Sequence, residues 1–252
     1  MNKQLFFDAM QKIAPKELAF DYDNPGLTVG IEGDEINKVL VALDCTVAAA
    51  DEAKRLGCDL VLTHHPLLFS AVKKISPDDP ATAAVFRLIR NGVGMFAAHT
   101  NLDCAEGGVN TCLCRALGVK NEQPVPPDGL CRIGFLDEPV MFSCFAEEVE
   151  RRLDTKVRVV GADRLVKTVM VCGGSGGSEY PLAAECGADV LVTGECKHSQ
   201  AIEAQTAGVN IIVCGHYETE SVVLLPLIKA LRPLTPGVEY VLSTEGNPLR
   251  PL

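Results

Sequence analysis

Apolar residues along this chain form short unbroken runs, separated by stretches in which they recur every three or four positions. The runs are Lys38–Asp44 (KVLVALD), Asp59–Thr63 (DLVLT), Val93–Ala98 (VGMFAA), Thr168–Val171, Asp189–Val192 and Val209–Cys214. Each predicts a buried strand. Cys131–Phe135, Val157–Val160 and Val238–Leu242 predict further ones. The helically spaced stretches are Gln4–Ile13, Thr46–Leu56, Ala81–Arg90, Gly107–Leu117, Ala146–Asp154, Ser199–Ala207 and His216–Leu231. Pro226 is expected to kink the last of these. Strands without polar alternation are covered on both faces. Their rhythm with helices predicts an α/β protein with largely parallel sheets flanked by helices.

Two stretches break the rhythm. Asp21–Gly30 (DYDNPGLTVG) reads as a loop, with Asn24-Pro25-Gly26 supplying turn chemistry. Lys120–Gly129 (KNEQPVPPDG) is polar and rich in Pro, and is the expected domain boundary. Two α/β lobes follow, 1–122 and 123–252, the α/β rhythm resuming at about residue 190.

Composition narrows the function classes. Twenty-three basic residues against 33 acidic ones give a net charge of −10, and no Lys/Arg cluster exceeds a pair. That disfavours nucleic acid and anionic membranes as partners. No segment approaches the ~18 apolar residues of a membrane span, and the N-terminus lacks the apolar stretch of a signal peptide. The 11 cysteines lie mostly alone within apolar runs, without a CxxC pair. They read as buried free thiols, which points to a reducing, cytoplasmic setting.

Candidate chemistry collects where three strands end. DLVLT runs into His64 and His65; VGMFAA runs into His99, with Asp103 four residues on; the strand ending at Cys214 precedes His216, with Glu220 four residues on. The carboxyl ends of parallel strands share one edge, and ligand sites form outside it. Residues distant in sequence can therefore converge there. Imidazoles mixed with carboxylates suit zinc, iron or manganese. His216 and Glu220, spaced i and i+4, share one helix face. Taken singly, the tandem histidines could be a polar turn, Asp103 the N-cap of the helix that follows, and Glu220 a solvated helix residue.

At this point the chain resembles a known family. THHP after its apolar strand, AAHTNLD followed by GGVN, TGE, GHYETE and the early DNPGLTVG are similar to the dinuclear metal centre proteins. These are the NGG-one-interacting-factor-three-like proteins, many of them named GTP cyclohydrolase I type 2 homologues. The similarity runs in order along essentially the whole chain. It implies metal ligands at His64, His65, Asp103, His216 and Glu220, and two divalent ions per chain. It also implies two α/β lobes, residues 190–252 returning to complete the metal site at the strand carboxyl ends, and a toroidal homohexamer.

The function expected from the resemblance is metal-dependent hydrolysis, the ring opening of a nucleotide base by metal-activated water. His99, Glu195 and His198 are the candidates for proton handling. The Gly-rich stretch Cys172–Gly177 is a candidate anion cradle or simply a tight turn. The alternative is a non-enzymatic, metal-loaded hexameric scaffold or regulatory partner.

Overall fold

The computed structural model describes residues 1–249 and divides them into two compact units. The first runs from Met1 to Ala105 and resumes at Leu224; the second is Glu106–Val223. The division differs from the expected split at residue 122. The first half of the Pro-rich stretch proves to be an edge strand of the second unit, β5 (Lys120–Pro124), and the chain changes units at Ala105/Glu106 and again at Val223/Leu224.

The first unit contains α1 (Lys3–Ile13), β1 (Gly26–Val29), β2 (Lys38–Ala42), α2 (Val47–Leu56), β3 (Leu60–Thr63), α3 (Ala83–Asn91), β4 (Gly94–Ala97) and α4 (Thr100–Cys104). The second contains α5 (Val109–Leu117), β5 (Lys120–Pro124), β6 (Arg132–Met141), α6 (Phe142–Leu153), β7 (Arg158–Val160), β8 (Leu165–Cys172), α7 (Tyr180–Glu185), β9 (Val190–Thr193), α8 (His198–Ala207), β10 (Asn210–Val213) and α9 (His216–Glu220). Back in the first unit, α10 (Leu224–Leu231) and β11 (Glu239–Leu242) complete its sheet.

That sheet has the order β1-β4-β3-β2-β11, parallel throughout except for the β1–β4 pair. Leu40, Val61 and Met95 point to one face, where Ala49, Ala50 and Ala53 of α2 and Val85 and Leu88 of α3 cover them. Phe7 of α1 stacks on Phe96 of β4 with centroids 5.5 Å apart, placing α1 over the opposite face. α2 starts cleanly because the Thr46 hydroxyl accepts the Ala49 N–H at 3.0 Å.

The second sheet has the order β5-β6-β8-β9-β10-β7. It is mixed: β8, β9 and β10 are parallel, while β5, β6 and β7 join antiparallel. Successive side chains alternate between its faces. Val169, Val171, Val190, Val192 and Ile212 pack with α5 and α6, whereas Met170, Cys172, Leu191, Ile211 and Val213 pack with Ala183 of α7 and Ala204 of α8. Each such fully buried aliphatic side chain contributes about 1.5–3 kcal/mol.

Three expectations change in detail. Gly26–Val29 of the predicted loop is the edge strand β1. β6 continues from the short predicted strand to Met141, through an irregularity against β8. The predicted helix 216–231 ends at Glu220 and, after a 3-10 turn at Ser221–Val223, restarts at Leu224. Pro226 thus lies in the first turn of α10, where its missing N–H costs nothing, instead of kinking a continuous helix. Among the described residues no helix is long and apolar enough to cross a membrane.

Candidate metal centre

In the first unit the candidate ligands follow β3 and β4. His64 is 1% exposed, and its Nδ1 lies 2.9 Å from the Ala98 carbonyl oxygen. A carbonyl can only accept, so Nδ1 carries the proton and Nε2 presents a lone pair. That Nε2 stands 3.6 Å from Oδ1 of Asp103, buried on α4. A second proton or a metal ion on Nε2 would each suit a carboxylate at this separation. Asp103 lies inside α4, and Gly108 rather than Asp103 caps α5, so the capping role open to it in the sequence is not the one it plays.

His65 and His99 are anchored in the same way. Nδ1 of His65 is 2.8 Å from Oδ1 of Asp44, and Nδ1 of His99 is 2.8 Å from Oδ1 of Asp23. Each carboxylate orients its ring and favours the Nε2 lone pair as ligand. Nitrogens of His64, His65 and His99 come within 4.8 Å of one another, a spacing that could hold a metal ion. His99 is therefore a member of the imidazole cluster. Asp23 also accepts from the Thr100 N–H at 3.0 Å and the Thr100 hydroxyl at 2.6 Å. Burial works to raise its pKa, but the bonds from His99, Thr100 and the Asn24 amide outweigh burial and hold the carboxyl well below the usual range.

In the second unit His216 opens α9 directly after β10, and Glu220 lies one turn on. His216 sits between two carboxylates: Nδ1 is 3.0 Å from Oε1 of Glu195, and Nε2 is 3.1 Å from Oε2 of Glu220. An imidazole so placed carries either a second proton or a metal ion. Glu195 also accepts from the Ser175 hydroxyl. That bond lowers its pKa most; burial opposes it, and the bond from His216 adds to it. Gly174 lies against this pair. It has φ +61°, and a Cβ there would stand 2.2 Å from Oε1 of Glu220.

The Gly-rich stretch is a turn that supports the pair. The Gly173 N–H donates to Asn110, that of Gly174 to the Thr219 hydroxyl and that of Gly177 to the Glu195 carbonyl. His198 stands exposed at the start of α8 and belongs to no candidate ligand group found among the described residues. Asp23 and Asp44 are absent from the sequence-based candidates. Asp44 does end the KVLVALD run, at the same strand edge as the histidines, and that position is a readable signal.

Fold and residues together define an α/β protein with imidazole–carboxylate sets at the carboxyl ends of its strands. Comparison with known proteins agrees. The family model Duf34/NIF3 (NGG1p interacting factor 3) matches residues 1–248, and the chain belongs to that family. A Clostridium perfringens protein named GTP cyclohydrolase 1 type 2 homolog is 32% identical over 247 residues, covering 94% of each chain. A protein of the same name from Lactococcus lactis is 33% identical over 241 residues, covering 93% of each. The crystal structure of a Bacillus cereus protein related to NIF3 superposes with a TM-score of 0.90 at 25% identity, over 100% of this chain and 99% of that one.

Proposed function

We propose that this chain is a metal-dependent hydrolase that holds two divalent ions, zinc, iron or manganese, with His64, His65, Asp103, His216 and Glu220. One observation carries the reading. In His64, His65 and His216, Nδ1 is bound to an oxygen acceptor, so Nε2 is the atom offered as ligand. Asp103 and Glu220 stand beside two of these nitrogens with negative charge. Donors of this kind fit a borderline divalent ion better than calcium or a thiolate cluster.

Two such ions supply Lewis acidity and water activation at neutral pH. The chain's own residues do the rest. Asp44 and Glu195 fix the rings of His65 and His216. Asp23 fixes His99, whose imidazole borders His64 and His65 and is the side chain best placed to accept or donate a proton. Glu195, bound to Ser175 and His216, is a positioning residue. The names of the relatives point to opening of a guanine ring as the reaction, with a nucleotide as substrate. Family membership supports a homohexamer, and the mostly buried cysteines fit a cytoplasmic setting.

Elemental analysis of the purified protein tests the metal reading: about two ions per chain are expected, and His64→Ala should lower that number. Fewer than one ion per chain, with no change in His64→Ala, would reject it. The metal-loaded protein should release formate from GTP, and Glu220→Ala should abolish the release. A wild-type protein that is metal-loaded but silent toward nucleotides would favour a metal-bearing scaffold. Light scattering reports the oligomer.

A further inference from the structure

Aromatic residues are scarce in this chain: nine Phe, four Tyr and no Trp. Three of them nevertheless line up from the histidine cluster toward solvent. The rings of His64, His65 and His99 lie with centroids 4.9 to 5.7 Å apart. Phe69 meets His99 edge to face, at 6.0 Å and 90°. Tyr22 meets Phe69 at 6.3 Å, and Phe20 meets Tyr22 at 5.5 Å. Tyr22 is 65% exposed and Phe69 48%, whereas a core ring such as Phe6 is fully buried.

These rings are held in place. Between Phe20 and the strand that follows lie Asp23, bound to His99, and Asn24, whose Nδ2 donates to the Leu68 carbonyl at 2.7 Å. The Phe20 N–H donates to the Thr100 hydroxyl at 3.1 Å, and the Asp23 N–H to the Phe20 carbonyl at 2.9 Å. One hydrogen-bond network thus ties the loop carrying Phe20 and Tyr22 to the loop carrying Phe69 and to His99. Exposed apolar rings fixed in this manner are a preorganised surface.

We propose that Tyr22 and Phe69 form a stacking wall for the planar heteroaromatic ring of a ligand whose polar edge reaches toward His65 and His99. The occupant is argued from continuity: the wall begins at His99, and because Tyr22 stands at 65° to Phe69, a flat ring laid on one of them meets the other edge to face. Stacking on such faces tolerates different bases but requires a flat ring. Tyr22 and Phe69 therefore set the substrate class, as specificity residues rather than catalytic ones. The inference rests on the reading that this cluster borders the reaction site.

The test is calorimetric titration of the full chain with guanosine and with ribose 5-phosphate, before and after zinc loading. Wild type should bind guanosine. Tyr22→Ala and Phe69→Ala should each weaken it about ten- to a hundredfold. Tyr22→Phe should stay close to wild type, and ribose 5-phosphate should not distinguish the variants. Unchanged guanosine affinity in both alanine variants, or no guanosine binding by wild type in either state, overturns the proposal. So does a smaller assembly mass for Tyr22→Ala by light scattering, which would make the wall a contact between copies of the chain. Metal content measured on the same samples separates the two readings. Protein without metal whose guanosine binding still depends on Tyr22 removes the hydrolase and keeps the wall; metal-loaded protein indifferent to Tyr22 does the reverse.

Discussion

Oε1 of Glu195 lies 3.0 Å from Nδ1 of His216, and by holding that ring it turns Nε2 toward Glu220. Carboxylates that orient a metal-ligating imidazole typically contribute ten- to a hundredfold in affinity. Glu195→Ala should lose about that factor in zinc affinity, measured against a competing chelator. Its side chain is 55% exposed, so the melting temperature of the metal-free variant should match wild type. Asp44→Ala should behave likewise through His65. Zinc affinity unchanged in both variants would mean that neither carboxylate serves the metal.

Gly174 gives a prediction about backbone. A side chain at φ +61° costs about 1–2 kcal/mol, and here the Cβ would also press on the Glu220 carboxylate at 2.2 Å. Gly208, at φ +76° and with open space around a Cβ, is the natural control. Both Gly→Ala variants should melt roughly 2–8 °C lower. Only Gly174→Ala should also lose zinc affinity. Equal zinc binding in the two variants would remove Gly174 from the metal centre.

The strands that carry the histidines are legible because burial on both faces leaves an unbroken apolar run, as in LVLT before His64 and NIIV before Cys214. Two of the four edge strands, β1 and β5, are not. β5 is the polar KNEQP, and β1 is the four-residue GLTV behind a Pro; an edge needs neither two apolar faces nor length. The unit boundaries hide for another reason. The chain crosses between units at Ala105/Glu106 and Val223/Leu224 without a Pro-rich or polar linker, while the first half of the Pro-rich stretch pairs inside a sheet. The ligand candidates could be read from strand ends, as could Glu195 and the position of Asp44, which hold two of the rings, but Asp23 could not. Asp23 sits in a turn motif 76 residues from His99, and no spacing rule joins such a pair.

The thiols give a third prediction. Eight of the cysteines are buried, Cys196 is half-buried, and Cys144 and Cys186 are exposed. Burial pushes Cys45, Cys114 and Cys214 up to about 12. A thiol at that value has almost no thiolate, and the thiolate is the reactive form. Ellman's reagent on native protein at pH 8 should modify Cys144 and Cys186 first and Cys196 more slowly, the rest reacting only in denaturant. Mass spectrometry assigns the sites. Rapid native modification of Cys114 or Cys214 would contradict the packing described for the second unit.

Acid should reveal Glu52. This carboxylate is 7% exposed in α2, and it ties down the segment after β11. It accepts from the Ser243 hydroxyl at 2.6 Å, the Thr244 hydroxyl at 2.8 Å and the Thr244 N–H at 3.1 Å. Burial works to raise its pKa, but these bonds and the nearby Arg55 outweigh it and leave the value lowered. A carboxyl whose folded pKa lies below its unfolded one stabilises the fold above the unfolded value, about 4.3 for Glu, and loses that contribution as pH falls through the folded value. Glu52→Gln should therefore melt lower than wild type at pH 7, by an amount corresponding to about 1–3 kcal/mol. The gap should close as the pH is lowered from about 6 toward 3, across the carboxylate range. Thermal melts of chelator-treated protein isolate the effect from metal release. A gap that stays constant over that range would show that the Glu52 charge does not hold the terminal segment.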